Sequence, residues 1–208
     1  MTQFPKDHAL LVIDIQNDFC PKGRLAVAQG DEIIPLANRL MPLFATIIAT
    51  QDWHPSHHQS FASQYEDKAP FEMVDMAYGS QILWPDHCVI GSEGADFHPD
   101  LMSDYFHAII RKGSNPDLDS YSGFFENDHQ TPTGLEGLLR GKGITEVYII
   151  GLATDFCVKY TALDAIKCGF NTKVIMDACR AIDLDNSLMK TKEEFALNGI
   201  EMVNSNAL

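Results

Sequence analysis

Residues 9–13, 45–50 and 147–150 form strand-length runs that are almost wholly apolar. A strand with one wet face alternates apolar and polar side chains. These runs do not, so both of their faces need cover, as in a parallel sheet clad by helices. Residues 106–110, 173–176 and 200–203 read as three more strands. Helical spacing falls between them. It places Ile33, Ile34, Ala37, Leu40 and Met41 on one face, and gives a short helix at 135–139 closed by Gly141 and Gly143. Further helices are expected over 158–168 and 187–197, the latter ended by Asn198-Gly199. Strands alternating with helices predict an α/β chain, a three-layer α/β/α sandwich around a mainly parallel sheet of about six strands. The length of 208 residues suits one domain over 1–208.

A net charge of −14 leaves no basic surface for nucleic acid or anionic lipid. No apolar run reaches membrane-spanning length, and residues 1–8 lack the basic-then-apolar pattern of a secretory signal. The five cysteines are odd in number and widely spread, without a CxxC pair. They read as reduced thiols, so a cytoplasmic location is expected. Residues 51–104 break the strand–helix rhythm and hold five of the eight histidines. An irregular stretch of that length in a compact domain is usually functional.

In open parallel sheets, ligands bind beyond the carboxyl ends of the strands, and the chemically capable residues cluster there. Asp14 follows the first strand, where a carboxylate is costly unless paired or used; Asp18 lies further into the same loop. Cys157 comes three residues after Thr154. If Thr154 caps a helix, the thiol sits in a first turn whose free N–H groups and dipole lower its pKa. Lys112 follows the third strand and can act as a compact positive charge beside both groups. Asp52 and His54, two apart on an extended segment, face the same way. With His87 from a later loop they make an oxygen and nitrogen donor set suited to zinc, iron or manganese. Taken singly, each has an ordinary explanation: a core cysteine, a solvated lysine, a loop-fixing aspartate, histidines in a loop.

The combination is specific. VIDIQNDFC (12–20), TQDWHPSHHQSF (50–61), WPDHC (84–88), RKG (111–113), YSGF (121–124) and GLATDFCV (151–158) stand in the order found in the nicotinamidases of the isochorismatase-like cysteine hydrolases. The chain resembles that family over nearly its whole length. The resemblance implies hydrolysis of nicotinamide to nicotinate and ammonia through a cysteine thioester, a step of NAD salvage, with pyrazinamide also deamidated. It implies Asp14, Lys112 and Cys157 as the catalytic triad, and Asp52, His54 and His87 as ligands of one divalent metal ion, zinc foremost. Phe19, Trp84 and Tyr121 would wall the substrate pocket. The Leu152–Ala153 peptide would be cis, and the Ala153 and Cys157 N–H groups would hold the oxyanion. His58 matches a position used as a further ligand in only some relatives. The expected partner is a small-molecule substrate, with no nucleic acid and no membrane; self-association into a homo-oligomer is left open. Two other readings compete. A metal-independent cysteine amidohydrolase acting on carbamoyl or ureido substrates would not need the Asp52, His54 and His87 set. A noncatalytic metal-binding α/β module would leave Cys157 inert to alkylation. A dinucleotide-binding fold is excluded, because no GxGxxG follows the first strand.

Overall fold

Strand β1 (His8–Ile13) is buried along almost its whole length, as its apolar run predicts. A computed structural model describes residues 4–208. The first three residues of the expected 1–208 domain, and of the stretch read for a secretory signal, lie outside the described residues. After β1 come α1 (Ile34–Leu40), β2 (Thr46–Asp52), a hairpin of β3 (Met73–Met76) and β4 (Gly79–Ile82), and β5 (Ala108–Lys112). The second half runs α2 (Leu135–Gly141), β6 (Glu146–Leu152), α3 (Lys159–Lys167), β7 (Asn171–Arg180), α4 (Ser187–Leu197) and β8 (Glu201–Val203).

Six strands form one sheet in the order β5-β2-β1-β6-β7-β8, and every neighbouring pair is parallel. Alternate residues of the central strands feed two cores. Leu10, Val12, Ile47 and Ile150 pack with Ala37 and Leu40 of α1 on one face. Leu11, Ile13, Ile48 and Ile149 pack with Leu135, Ala162 and Phe195 on the other. This is the expected three-layer α/β/α arrangement. Among the described residues no helix is long and apolar enough to cross a membrane.

The chain steps outward from β1 to β2 to β5, then returns beside β1 with β6 and steps the other way. The β1/β6 boundary is therefore the topological switch point, where a crevice opens at the strand ends. Gly151 permits the close approach there. Its φ is +125°, and a Cβ would lie 2.1 Å from the Ile13 carbonyl oxygen.

Three local expectations are corrected. The irregular 51–104 stretch contains the β3–β4 hairpin, whose side chains are largely exposed and so carry no apolar pattern. Lys112 is the last residue of β5 rather than following it. Thr154 is not a helix cap: a single π-helical turn spans Thr154–Val158 with Ala153 at its N-cap and no side-chain capping bond.

Candidate active site

Asp14 leaves the end of β1 with φ +45°, which turns its side chain out of the strand pattern. It is fully buried. Thr50 Oγ1 donates to its Oδ1 at 2.6 Å, and Lys112 Nζ lies 3.0 Å from its Oδ2. Lys112 is itself inaccessible. Its ammonium also contacts the Asp52 carboxylate, donates to the Ser120 carbonyl at 2.9 Å and reaches Cys157 Sγ at 3.4 Å. Residues from the ends of β1, β2 and β5 and from the turn after β6 thus meet at one ammonium.

The electrostatics follow from burial around that charge. Burial lifts the Asp14 carboxyl above its ordinary value, against the pull of Lys112. Burial would raise the Asp52 carboxyl, but the Lys112 ammonium, with the His54 and His87 rings beside it, holds it well below the ordinary range. The Lys112 ammonium would be weakened by burial, yet Asp14 and Asp52 keep it firmly protonated. The expectation of a lowered Cys157 pKa is overturned. Burial drives the thiol well above its ordinary value; Lys112 opposes this, while Asp14 and Asp52 add to it. A helix-end dipole, worth at most about 2 kcal/mol in favourable sites, is outweighed by removal from water beside two carboxylates. Cys157 rests as a thiol and needs a base.

Beside this cluster, ligand atoms of Asp52, His54 and His87 lie within 4.8 Å of one another. Both imidazole Nε2 atoms face Asp52 Oδ2, at 3.7 Å for His54 and 3.8 Å for His87. Each ring is oriented from behind. His54 Nδ1 bonds the Gly113 carbonyl at 2.8 Å, and His87 Nδ1 bonds the Pro85 carbonyl at 2.8 Å. A carbonyl can only accept, so Nδ1 carries a proton in each ring, and the neutral imidazole then has its Nε2 lone pair free for a metal. Gly113 is required for this seat, since a Cβ there would lie 2.3 Å from the His54 ring. The donor set and its backing therefore fit a divalent metal.

His58 is buried against His54, with ring centroids 4.5 Å apart. Burial, then His54, push its pKa down to about 4. Its Nδ1 lies 2.7 Å from Ser60 Oγ. His57 is exposed and stands apart.

A pocket enclosing about 330 Å³ of empty space, mouth included, opens over both clusters. Phe19, Trp84 and Tyr121, the three aromatics expected in its wall, all line it, and so do Cys157 and Ala153. The Leu152–Ala153 peptide is cis. Trp84 Nε1 donates to the Tyr121 hydroxyl at 3.1 Å.

Several participants escaped the sequence reading. Asp119 and Phe156 also line the pocket. Gln81, from β4, donates to Asp119 Oδ2 at 2.8 Å and to the Tyr121 hydroxyl at 2.9 Å. Asp18, the weaker carboxylate candidate, is a clamp: it accepts the Arg24 N–H at 3.0 Å and the Cys88 N–H at 2.7 Å, which holds the His87 loop.

The family model for the isochorismatase domain matches residues 8–206. A nicotinamidase from Acinetobacter baylyi is 51% identical over 95% of this chain and 92% of that protein. The solved nicotinamidase/pyrazinamidase of Acinetobacter baumanii superposes with a TM-score of 0.97 at 50% identity, covering 99% of both chains. A zinc complex of pyrazinamidase from Pyrococcus horikoshii gives a TM-score of 0.78 at 39% identity, over 96% of this chain and 99% of that one. With a family match across nearly every residue and half its positions shared with such relatives, the chain belongs to the isochorismatase family.

Proposed function

We propose that this chain is a nicotinamidase, which hydrolyses nicotinamide to nicotinate and ammonia and takes pyrazinamide as well. The observation that carries this reading is the meeting, in one aromatic-walled pocket, of a base-paired thiol and a separate metal-type donor set. A metal-independent amidohydrolase has no use for the second set. The close relatives named as nicotinamidases support the same substrate.

The steps follow from the chemistry of the side chains. Asp14, whose charged form Lys112 favours, takes the Cys157 proton as the sulfur attacks the carboxamide carbon. The C=O π-electrons move to oxygen, and the N–H groups of Ala153 and Cys157 are assigned to hold that charge. Asp14 then gives its proton to the amide nitrogen, and ammonia leaves as the C=O re-forms. The resulting thioester is attacked by a water that Asp14 deprotonates. Nicotinate departs, and the proton returns to the sulfur. Phe19, Trp84 and Tyr121 hold the ring. Asp52, His54 and His87 would hold a divalent metal, for which zinc in the Pyrococcus relative is the precedent. Bound there, it supplies a Lewis-acid grip on a ring nitrogen and so orients the substrate.

Ammonia release, measured from nicotinamide and from benzamide with and without chelation, tests the reading. Metallated protein should strongly prefer nicotinamide, because benzamide has no ring nitrogen; chelation should abolish the preference while Cys157 remains open to alkylation. No ammonia from nicotinamide would overturn the reading. A preference that survives chelation would remove the metal from substrate positioning.

Asp14→Asn is expected to fold, since the new amide oxygen can still accept from Thr50. Turnover should drop about 10²–10⁴-fold, the usual worth of a general base. Asp18 is a poor substitute, as its oxygens already accept two backbone N–H groups. The check is kcat on folded, metallated protein; a loss under about threefold would give the proton transfer to another group.

A further inference from the structure

Strand β2 runs further than its neighbour on one side. β1 pairs with it only as far as Val12↔Ala49, because the chain swings away at Asp14. On the other side, β5 pairs with β2 to the end, at Asp52↔Lys112. The peptide groups of Asp52 that face the β1 side therefore have no strand to bond. They are buried, and an unpaired buried peptide group costs about 1–3 kcal/mol.

The side chain of Gln16 fills the gap. Its Oε1 accepts the Asp52 N–H at 2.8 Å, and its Nε2 donates to the Asp52 carbonyl at 2.9 Å. The second Nε2 proton goes to the Ala95 carbonyl at 2.8 Å. Gln16 is fully buried, does not line the pocket, and has no unpaired polar atom. A primary amide presents a donor and an acceptor side by side, as a peptide edge does, so it stands in for the missing rung of the ladder. It lies two residues from Asp14 and grips the backbone of Asp52, and Lys112 is held between those two carboxylates.

We propose that Gln16 is a positioning residue, a side-chain rung that fixes Asp52 relative to Asp14 and thereby sets the geometry of the metal-type donor set. The proposal rests on the reading of Asp52 as a ligand. It requires that Gln16 matter more to metal affinity than a glutamine of equal burial that leaves the Asp52 peptide alone. Gln51 is that comparison. It donates to the same Ala95 carbonyl at 2.9 Å and accepts from Arg111 Nε at 3.2 Å.

The test is zinc affinity, read by competition with a chromophoric chelator, for the parent, Gln16→Met, Gln16→Asn and Gln51→Met. Methionine keeps the volume and loses the amide; asparagine keeps an amide on a stem one methylene too short. Both Gln16 variants should bind zinc about 10–100-fold more weakly, the usual effect of losing a group that orients a ligand. Gln51→Met should stay within about threefold of the parent. If one Gln16 variant fails to fold, the other carries the test. Zinc binding by a folded Gln16 variant within threefold of the parent overturns the proposal, and so does an equal loss in Gln51→Met. Affinity is read without substrate, so these outcomes are independent of whether nicotinamide is hydrolysed.

Discussion

Cys157→Ala should release no measurable ammonia from nicotinamide, a loss on the order of 10⁴-fold or more, because removing a covalent nucleophile takes away the whole route rather than one aid to it. No other thiol is placed to replace it. Of the five cysteines, only Cys157 lines the pocket and only Cys157 meets the Lys112 ammonium. Cys20 and Cys168 have thiols pushed up to about 11, and Cys179 to about 12, in each case by burial first. Raised in this way they stay protonated at neutral pH, and none of the three lines the pocket. Cys20→Ala, Cys168→Ala and Cys179→Ala should therefore keep turnover. Cys88→Ala is the closest to the site, since it follows His87. It too should remain active, because the bond that fixes this loop runs from the Cys88 backbone N–H to Asp18 and survives the substitution. Residual turnover above about 1% in pure, metallated Cys157→Ala protein would remove the thioester from the mechanism.

The raised thiol pKa changes what is expected of that nucleophile. A free thiolate would alkylate rapidly at any pH above its low pKa. A buried thiol paired with a base should alkylate slowly at neutral pH and faster as pH rises. Local sequence suggested the first behaviour because a strand, a glycine and a turn were visible around Cys157. It could not show how deeply the thiol is buried beside the carboxylates at the ends of β1 and β2. Depth of burial and charge at long range decide this pKa, and neither is written near the cysteine.

The same division runs through the rest of the molecule. The sheet was legible because β1, β2 and β6 are covered on both faces, which forces an unbroken apolar run. The β3–β4 hairpin was not, because its solvent-facing residues are under no such demand. Asp14, Lys112 and Cys157 could be found because strand ends are where parallel sheets gather chemistry. Gln16, Gln81 and Asp119 could not. Their partners are 36 to 79 residues away in the chain, and a glutamine in a loop looks the same whether it faces water or replaces a strand. The one available signal was position: Gln16 lies in the same turn as Asp14.

Lys112→Met should both inactivate the enzyme and destabilise it, by about 3–5 kcal/mol in the metal-free protein. The lysine is inaccessible and holds Asp14 and Asp52 together. Replacing it with an apolar side chain of similar length leaves two buried carboxylates with no cation between them. Asp14, already lifted by burial and restrained by Lys112, should rise further and stay protonated, so that it can no longer take the Cys157 proton. Two differences separate this account from a simple packing loss. Metal bound at Asp52, His54 and His87 would neutralise Asp52 in place of the ammonium, so the destabilisation should shrink when zinc is added in excess. Lys112→Met combined with Asp14→Asn should be more stable than Lys112→Met alone, because the second change removes a buried carboxyl that would otherwise have to be protonated at neutral pH for the protein to fold; neighbouring sites that share one charge network are where additivity fails. Urea denaturation of the parent, Lys112→Met, Asp14→Asn and the double variant, with and without zinc, reads both differences. If the double variant is no more stable than the single one, and zinc gives no recovery beyond that of the parent, Lys112 is serving as packing and not as the counter-charge on which the proposed chemistry of Asp14 depends.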